Sequence, residues 1–278
     1  MTASDSNPDL PIGVFDSGVG GLTVLRAIRA ALPNESAIYL GDTARVPYGT
    51  KSRESVLRYS LQASDQLVRR GIKLLVVACN TASATSLPEI RVQLAPLPVV
   101  GVVEPGAQAG VAASKRQRHL VLATEATVSQ GAYTRAIRAL EPRAAVEELA
   151  CSLFVALAEE GWTEGPTADA AAQAYLGHLA ARREEDRPDS VILGCTHFPL
   201  VAGVVRKALG PAPSIVDSAT ATAKLVRELL ERERLARTSR APARLDLLVT
   251  DGAARFARLG PRFLGESFAA ADVELVDL

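Results

Sequence analysis

KLLVVACNTASATSLPEIR, residues 73–91, and SVILGCTHFPLVAGVVRKAL, residues 190–209, are two similar stretches that indicate the fold of this chain. Each begins with an apolar, β-branched run of strand length, continues through a small residue to a cysteine, and ends in a helix-length segment. Two further pairs of stretches match in the same way, namely 12–28 with 119–137 and 37–49 with 144–161. The pattern predicts two similar units, which we expect to be related by a pseudo-twofold axis.

Short apolar runs alternate with amphipathic segments along the chain, a pattern typical of parallel sheets covered by helices. Strands are predicted at 11–15, 36–41, 73–78, 98–102, 119–123, 144–149, 190–194, 213–216 and 245–249. Apolar residues recur at three- and four-residue spacing, which predicts helices, at 21–32, 52–70, 131–140, 167–184 and 219–236. Residues 1–10 are polar and are expected to be disordered. The fold class is α/β, with two Rossmann-like units.

The order of the repeats predicts two domains, of which the first is discontinuous. The first domain comprises residues 1–104 together with 217–278, and the second, residues 105–216, is inserted between these parts. Ligands of open parallel sheets bind beyond the carboxyl ends of the strands, and both Cys79 and Cys195 directly follow a predicted strand. We therefore expect an active site in the cleft between the domains, with one thiol on each side.

The composition argues against several classes of function. Lys plus Arg and Asp plus Glu number 31 each, so the formal net charge is zero and no nucleic-acid partner is expected. The N-terminus lacks the features of a signal peptide, and no apolar stretch is long enough to span a membrane, so a cytoplasmic protein without membrane contact is expected. Three cysteines without a Cys-x-x-Cys or His-Glu-x-x-His motif indicate free thiols, with neither disulfides nor a metal site.

Two thiols on opposite sides of a cleft can invert a carbon atom that carries an acidic proton. Inversion removes a proton from one face and returns a proton to the other, so it requires a base and an acid on opposite sides. A free cysteine has a pKa of about 8.5, so neighbouring groups decide whether each thiol is the base or the acid. Each cysteine precedes a helix-length segment, whose partially positive N-terminus is expected to favour the thiolate. A two-base racemase needs this arrangement.

Four segments resemble, in the same order, the signature segments of the glutamate racemase family: DSGVGG (16–21), ARVPYG (44–49), CNTAS (79–83) and GCTHFPL (194–200). The resemblance extends from about residue 12 to about residue 265. It implies a two-domain α/β fold, homo-oligomers, which we expect here to be homodimers, and no pyridoxal phosphate, metal or other cofactor. It also implies that L- and D-glutamate are interconverted and that D-glutamate is supplied for peptidoglycan.

The resemblance implies roles for individual residues as well. Cys79 would act on the D-enantiomer of glutamate, assisted by Asp16. Cys195 would act on the L-enantiomer, assisted by His197 and Glu159. The implied substrate contacts are Asp16, Ser17, Tyr48, Gly49, Asn80, Thr81, Thr196 and His197.

The auxiliary glutamate is assigned less directly than the cysteines. The family commonly has Cys-Pro with a further Pro before it, whereas this chain has Cys151-Ser152 and Ala156. Glu159 is therefore matched by spacing alone, and the neighbouring Glu160 is the alternative. Cys151 itself is expected to be a buried structural thiol.

Three other functions are compatible with parts of the sequence. An aspartate or hydantoin racemase of the same superfamily would keep both cysteines and differ in the pocket. A nucleotide-dependent oxidoreductase would use the glycine-rich loop 18–21 and Asp42, but Thr23 leaves the Gly-x-Gly-x-x-Gly fingerprint incomplete. We favour a turn there that binds the carboxylate of the substrate. A non-catalytic binding protein would keep the cleft without requiring both thiols.

Overall fold

The computed structural model describes residues 7–278, so residues 1–6 of the predicted first domain lie outside it. The strands are β1 (Ile12–Asp16), β2 (Ala37–Gly41), β3 (Leu74–Val77), β4 (Val99–Gly101), β5 (Arg118–Ala123), β6 (Ala145–Ala150), β7 (Ser190–Gly194), β8 (Ser214–Asp217), β9 (Leu245–Val249) and β10 (Val273–Leu275). The α-helices are α1 (Leu22–Ala31), α2 (Arg53–Arg69), α3 (Asn80–Leu94), α4 (Val103–Ala113), α5 (Glu125–Gln130), α6 (Ala132–Leu140), α7 (Leu153–Glu160), α8 (Pro166–Ala180), α9 (Ala202–Leu209), α10 (Ser218–Arg232) and α11 (Ala253–Leu264). Short 3-10 helices span Thr43–Arg45, Tyr48–Thr50, Glu184–Asp186, Phe198–Val201 and Ala270–Asp272.

The strands form two parallel sheets that share one strand order. The first sheet has six strands in the order β10-β9-β2-β1-β3-β4, and the second has four in the order β6-β5-β7-β8. The order β2-β1-β3-β4 is thus repeated as β6-β5-β7-β8, and every strand pair is parallel. The predicted α/β class with two similar Rossmann-like units is confirmed, and the shared order agrees with the predicted repeat.

Helices cover both faces of each sheet, so the central strands are apolar on both sides. In β1, Ile12 and Val14 pack with apolar residues of α1, α10 and α11, whereas Phe15 packs with residues of α2 and α3. In β5, Leu120 faces α7, α8 and α9, and Val121 faces α4 and α6. This alternation follows from the two-residue period of a strand. It explains why the strands appear in the sequence as continuous apolar runs.

All nine predicted strands are present, with ends within one residue of those expected. β10 was not predicted, because its three residues are too short to show a pattern. Residues 7–10, expected to be disordered, form a turn in which the Leu10 N–H donates to Asn7 O at 3.2 Å, and residues 1–6 lie outside the described part. Helix α8 ends at residue 180 rather than 184, because the Arg187 guanidinium binds the carbonyl oxygens of Ala180 and Arg182.

The fold brings the loops after β1, β3, β5 and β7 to the carboxyl-terminal edges of the two sheets. Cys79 follows β3 and Cys195 follows β7, the corresponding strands of the two sheets. Between residues 7 and 278, none of the helices has both the length and the apolar character that crossing a bilayer requires.

Two helical glycines allow a test of how tightly α4 packs on β7. A Cβ atom at Gly110 in α4 would overlap the buried side chain of Ile192. Among residues 7–278, a Cβ atom at Gly203 in α9 would meet no atom within 4 Å. Both changes to Ala gain helix propensity, up to about 1 kcal/mol, so we expect Gly203→Ala to raise the free energy of unfolding. The free energy of unfolding of Gly110→Ala, measured by urea denaturation, should be about 1–3 kcal/mol lower than that of Gly203→Ala. Equal stabilities would mean that Ile192 moves aside at no cost.

Candidate active site

A cavity of about 350 Å³ lies between the carboxyl-terminal edges of the two sheets. Both Cys79 and Cys195 line it and are largely buried, with 5% and 7% of their surface exposed. The other predicted site residues that line the cavity are Ser17, Tyr48, Gly49, Asn80, Thr81, Glu159, Thr196 and His197. Asp16 is not among the lining residues, because its side chain is fully buried behind the loop that follows β1.

The glycine-rich loop after β1 binds the carboxyl group of Asp16. The Gly18 N–H donates to Asp16 Oδ2 at 2.9 Å. Burial raises the pKa of Asp16, and the charge of His197 and the amides of Gly18, Gly21 and Ser17 act in the opposite direction. The acceptor held by this turn is therefore the protein's own side chain. The prediction that the turn binds the carboxylate of the substrate is wrong for the Gly18 amide.

Gly20 and Thr23 join this loop to the loop that carries Cys195. A Cβ atom at Gly20 would overlap Thr196 and the ring of His197. The Thr23 hydroxyl lies 2.9 Å from Gly20 O and 3.1 Å from the backbone oxygen of Thr196. The turn that would have to hold a pyrophosphate is packed against the second unit instead, which argues against dinucleotide binding.

Tyr48 and Gly49 bring another loop of the first unit into the cavity wall. The Tyr48 hydroxyl donates to Asp42 Oδ2 at 2.5 Å, and the Thr250 hydroxyl donates to Asp42 Oδ1 at 2.9 Å. A Cβ atom at Gly49 would overlap Thr124 of the second unit. Asp42, which would contact a ribose under the dinucleotide hypothesis, therefore binds the hydroxyl of Tyr48 instead. The loop lines the cavity with the Tyr48 ring and the Gly49 backbone.

Cys79 is the N-cap of α3. The Ala82 N–H donates to its Sγ at 3.4 Å, and the thiol donates to Ser17 Oγ at 3.5 Å. Burial raises the pKa of Cys79 to about 12, and the charge of Asp16 acts in the same direction. The Ala82 amide at the helix N-terminus lowers the pKa of Cys79, as expected, but burial outweighs it. The sulfur carries its proton at neutral pH.

Cys195 has a different environment. It precedes a 3-10 helix rather than an α-helix, and His197 Nδ1 lies 3.8 Å from its Sγ. His197 Nε2 lies 3.2 Å from Glu159 Oε1. Burial lowers the pKa of His197, but the hydrogen bonds with Cys195 and Glu159 outweigh burial and raise the pKa to about 10. At neutral pH a positively charged imidazolium therefore lies beside this sulfur.

Glu159 at the end of α7 is the glutamate that contacts His197, whereas Glu160 is exposed. Glu159 Oε2 accepts a hydrogen bond from Arg255 at 2.8 Å, and the backbone oxygen of Glu159 accepts one from Arg262 at 2.8 Å. The hydrogen bond with His197 is the main cause that lowers the pKa of Glu159. Both arginines lie on α11, which packs on the six-stranded sheet, so Glu159 is held across the cleft.

Several residues of the site were not singled out from the sequence. Arg255 and Arg262 are seven residues apart and so lie on one face of α11, but nothing in that spacing identifies Glu159 as their partner. Thr124 lines the cavity, and its hydroxyl lies 3.0 Å from that of Thr81. The match of residues 12–28 with 119–137 pairs Thr124 with Ser17. The internal repeat therefore contained a signal for Thr124.

A cavity lined by one thiol from each of two parallel-sheet units is an arrangement that is chemically able to exchange protons on both faces of a carbon atom. No set of three or more His, Cys, Asp or Glu side chains in residues 7–278 is placed to hold a metal ion. The family model described as Asp/Glu/Hydantoin racemase matches residues 12–226, and the chain belongs to this family.

Similarity to known proteins extends over nearly the whole chain. A glutamate racemase of Geobacter metallireducens is 50% identical over 254 residues, which cover 91% of this chain and 92% of the relative. The crystal structure of glutamate racemase from Francisella tularensis in complex with D-glutamate has a TM-score of 0.90 at 32% identity and covers 98% of both chains. Picrophilus torridus aspartate racemase has a TM-score of 0.58 at 17% identity and covers 81% of this chain and 99% of that chain, which shows a shared fold alone.

Glu159 and Glu160 provide a matched pair for testing the ionisation of His197. Glu159→Gln removes the carboxylate from Nε2, so the pKa of His197 should fall by about one unit or more. Glu160→Gln should leave it unchanged, because Glu160 does not contact the ring. The chain has three histidines, so ring ¹⁵N and ¹³C shifts can follow His197 through the neutral and alkaline range.

The raised pKa of His197 also makes the stability of the fold depend on pH. The pKa of His197 is higher in the folded protein, about 10, than in the unfolded chain, about 6.5. Its charge therefore stabilises the fold fully below about pH 6.5, and this contribution is lost as the pH rises through about 10. A His197 ring that titrates at the usual value in the unsubstituted protein would contradict the arrangement.

Proposed function

We propose that the protein is a cofactor-independent glutamate racemase that interconverts L- and D-glutamate with Cys79 and Cys195 as its two acid/base groups. The observation that carries the proposal is that one thiol from each unit lines the same cavity. Relatives named glutamate racemase, such as the one that is 50% identical, favour glutamate over aspartate or a hydantoin as the substrate.

The two thiols have different surroundings before the reaction. Burial raises the pKa of Cys79 to about 12, so Cys79 holds a proton that it can donate. Cys195 lies beside the imidazolium of His197, whose positive charge stabilises an anionic sulfur. In this arrangement Cys195 is suited to remove the α-proton of L-glutamate while Cys79 supplies a proton to the opposite face. The His197–Glu159 hydrogen bond holds the imidazolium in place during this step.

The reverse direction requires Cys79 to act as the base. The ammonium group of the bound amino acid would bring positive charge near the sulfur and offset part of the cost of burying a thiolate. Asp16 raises the pKa of Cys79, and a thiolate of higher pKa is a stronger base toward the weakly acidic α-proton. Asp16 would therefore assist Cys79 from behind the cavity wall, without contacting the substrate.

The size and lining of the cavity suit a small amino acid. Its volume of about 350 Å³ is at the small end of the range typical of ligand sites, about 300–1,000 Å³. The polar groups around the thiols come from both units: Ser17, Asn80, Thr81 and Thr196. The resemblance implies that these residues contact the substrate. Hydroxyl and amide groups of this kind can bind the two carboxylates of glutamate.

The proposal includes the domain boundaries, the location and the assembly of the protein. The domains would comprise residues 1–104 with 217–278, and residues 105–216. Asp217 at the second boundary is both the last residue of β8 and the N-cap of α10. We further propose that the protein is located in the cytoplasm, where thiols stay reduced. It would form a homodimer and supply D-glutamate for peptidoglycan.

Incubation with L-glutamate in D₂O, with no cofactor added, tests the reaction itself. A two-base racemase should form D-glutamate that carries deuterium at the α-carbon, while the remaining L-glutamate stays protiated early in the reaction. The reason is that the base that removes the proton differs from the acid that returns one. Chiral chromatography with mass spectrometry measures both quantities.

Other results of this incubation would redirect or reject the proposal. Deuterium in the unreacted L-glutamate at the same rate as in the product would indicate one base instead of two. Turnover of aspartate or a hydantoin in place of glutamate would keep the mechanism and change the substrate. A cavity without turnover of any of these substrates would favour a binding protein.

The three cysteines allow a controlled test of the two-thiol assignment. Cys79→Ser and Cys195→Ser should each lower kcat/KM by about 10²- to 10⁴-fold, the range typical of removing a general acid or base. Cys151 is fully buried in the apolar cluster of the second unit, so Cys151→Ala should cost stability and leave the specific activity of the folded protein unchanged. Circular dichroism would establish folding, and full activity in either serine variant would contradict the assignment.

A further inference from the structure

Asn80 has one half of its amide bound and the other half free. It is the first residue of α3, lines the cavity beside Cys79 and is 3% exposed. Its Oδ1 accepts a hydrogen bond from the Tyr133 hydroxyl at 2.6 Å. Its buried Nδ2 has no partner within the part of the chain that the structure describes. A buried amide nitrogen without an acceptor is costly, so this nitrogen points to an acceptor on a ligand.

Tyr133 reaches Asn80 from the opposite unit. It lies on α6, is fully buried, and packs against two glycines. A Cβ atom added to Gly194 would lie 3.0 Å from the ring of Tyr133, and one added to Gly106 would lie 3.1 Å from the Tyr133 hydroxyl oxygen. Gly194 directly precedes Cys195. One buried side chain therefore contacts the backbone next to one thiol and the side chain next to the other.

We propose that Tyr133 is a positioning residue that turns the Nδ2 group of Asn80 toward a carboxylate of the substrate by donating a hydrogen bond to Oδ1. The inference rests on the proposed function and deepens it, because it assigns the group that orients a substrate contact. An asparagine amide has nearly the same shape when its oxygen and nitrogen are exchanged. A phenol hydroxyl can donate to the oxygen of an amide or accept from its nitrogen. Here it donates to Oδ1, which leaves the unpartnered nitrogen for an acceptor on the substrate. In the exchanged orientation Oδ1 would face the substrate and repel a carboxylate.

Tyr133→Phe removes this hydrogen bond and keeps the ring that packs on Gly194. We expect the KM for both enantiomers of glutamate to rise about 10-fold, while kcat changes by less than about threefold. Tyr175→Phe is the matched control. The Tyr175 hydroxyl accepts a hydrogen bond from the Leu153 N–H at 3.2 Å, and Tyr175 does not line the cavity, so its loss should leave KM unchanged.

A double-mutant cycle asks whether Tyr133 acts through Asn80. In the Asn80→Ala background, Tyr133→Phe should have no further effect on KM, because the amide that it orients is gone. Additive effects of the two changes on KM would overturn the inference. A fall in kcat at unchanged KM would also overturn it, since that result indicates a merely structural role for Tyr133.

Asn80→Asp tests the same idea with Tyr133 intact, should Tyr133→Phe fail to fold. It keeps an acceptor for the phenol and places an oxygen where Nδ2 stands, so KM should rise at least as much as in Tyr133→Phe. Unchanged KM in Asn80→Asp, or in folded Tyr133→Phe, would overturn this inference and leave the proposed function intact. Absence of both racemisation and calorimetric binding of glutamate in the unsubstituted protein would overturn the proposed function and this inference with it.

Discussion

The close approach of two carboxyl-terminal sheet edges is the constraint on which the rest of the structure depends. Neither sheet contains a complete site, because each contributes a single thiol to the cavity. The edges meet at positions where a side chain would not fit, with Gly20 against Thr196 and Gly49 against Thr124. Hydrogen bonds between the units then fix the approach, including those of Thr23 to Thr196 O and of Tyr133 to Asn80. Glycine at the points of contact thus brings polar side chains from both units within hydrogen-bonding distance.

The same approach determines the electrostatics of the site. Closing two units over one cavity buries Asp16, Cys79 and His197, and burial alone would favour their uncharged forms. Asp16 and His197 keep partners in the buried region, and each favours the charged form of the other across the Gly20 contact. Asp16 also raises the pKa of Cys79, whereas His197 lies beside Cys195. Asp16 and His197 therefore give the two thiols different surroundings, as a reaction that needs an acid and a base requires.

The sequence was sufficient for the sheets and insufficient for the support of the site. Strands buried on both faces leave continuous apolar runs, which is why nine of them could be placed to within a residue. The cysteines were identifiable because each follows such a run. The partner of Glu159 on α11 could not be identified, because an ion pair between residues 96 positions apart leaves no periodic signal. Burial of Asp16 behind the wall, and the balance that keeps Cys79 protonated, depend on packing that no local pattern records.

The C-terminal segment explains why two similar units provide two different halves of a site. Strands β9 and β10 extend the first sheet at the β2 edge, whereas no strand of the described residues extends the second sheet at β6. Helix α11, between these strands, is thereby placed beside the loop of the opposite unit. It contributes Arg255 and Arg262 to Glu159, and the Phe263 ring packs edge-on against His197 with ring centroids 5.2 Å apart. The repeat alone would give two equivalent cysteines. Helix α11 of the first unit supports His197 of the second, and this removes the equivalence. The asymmetry of the site therefore originates in a segment that lies outside the repeat.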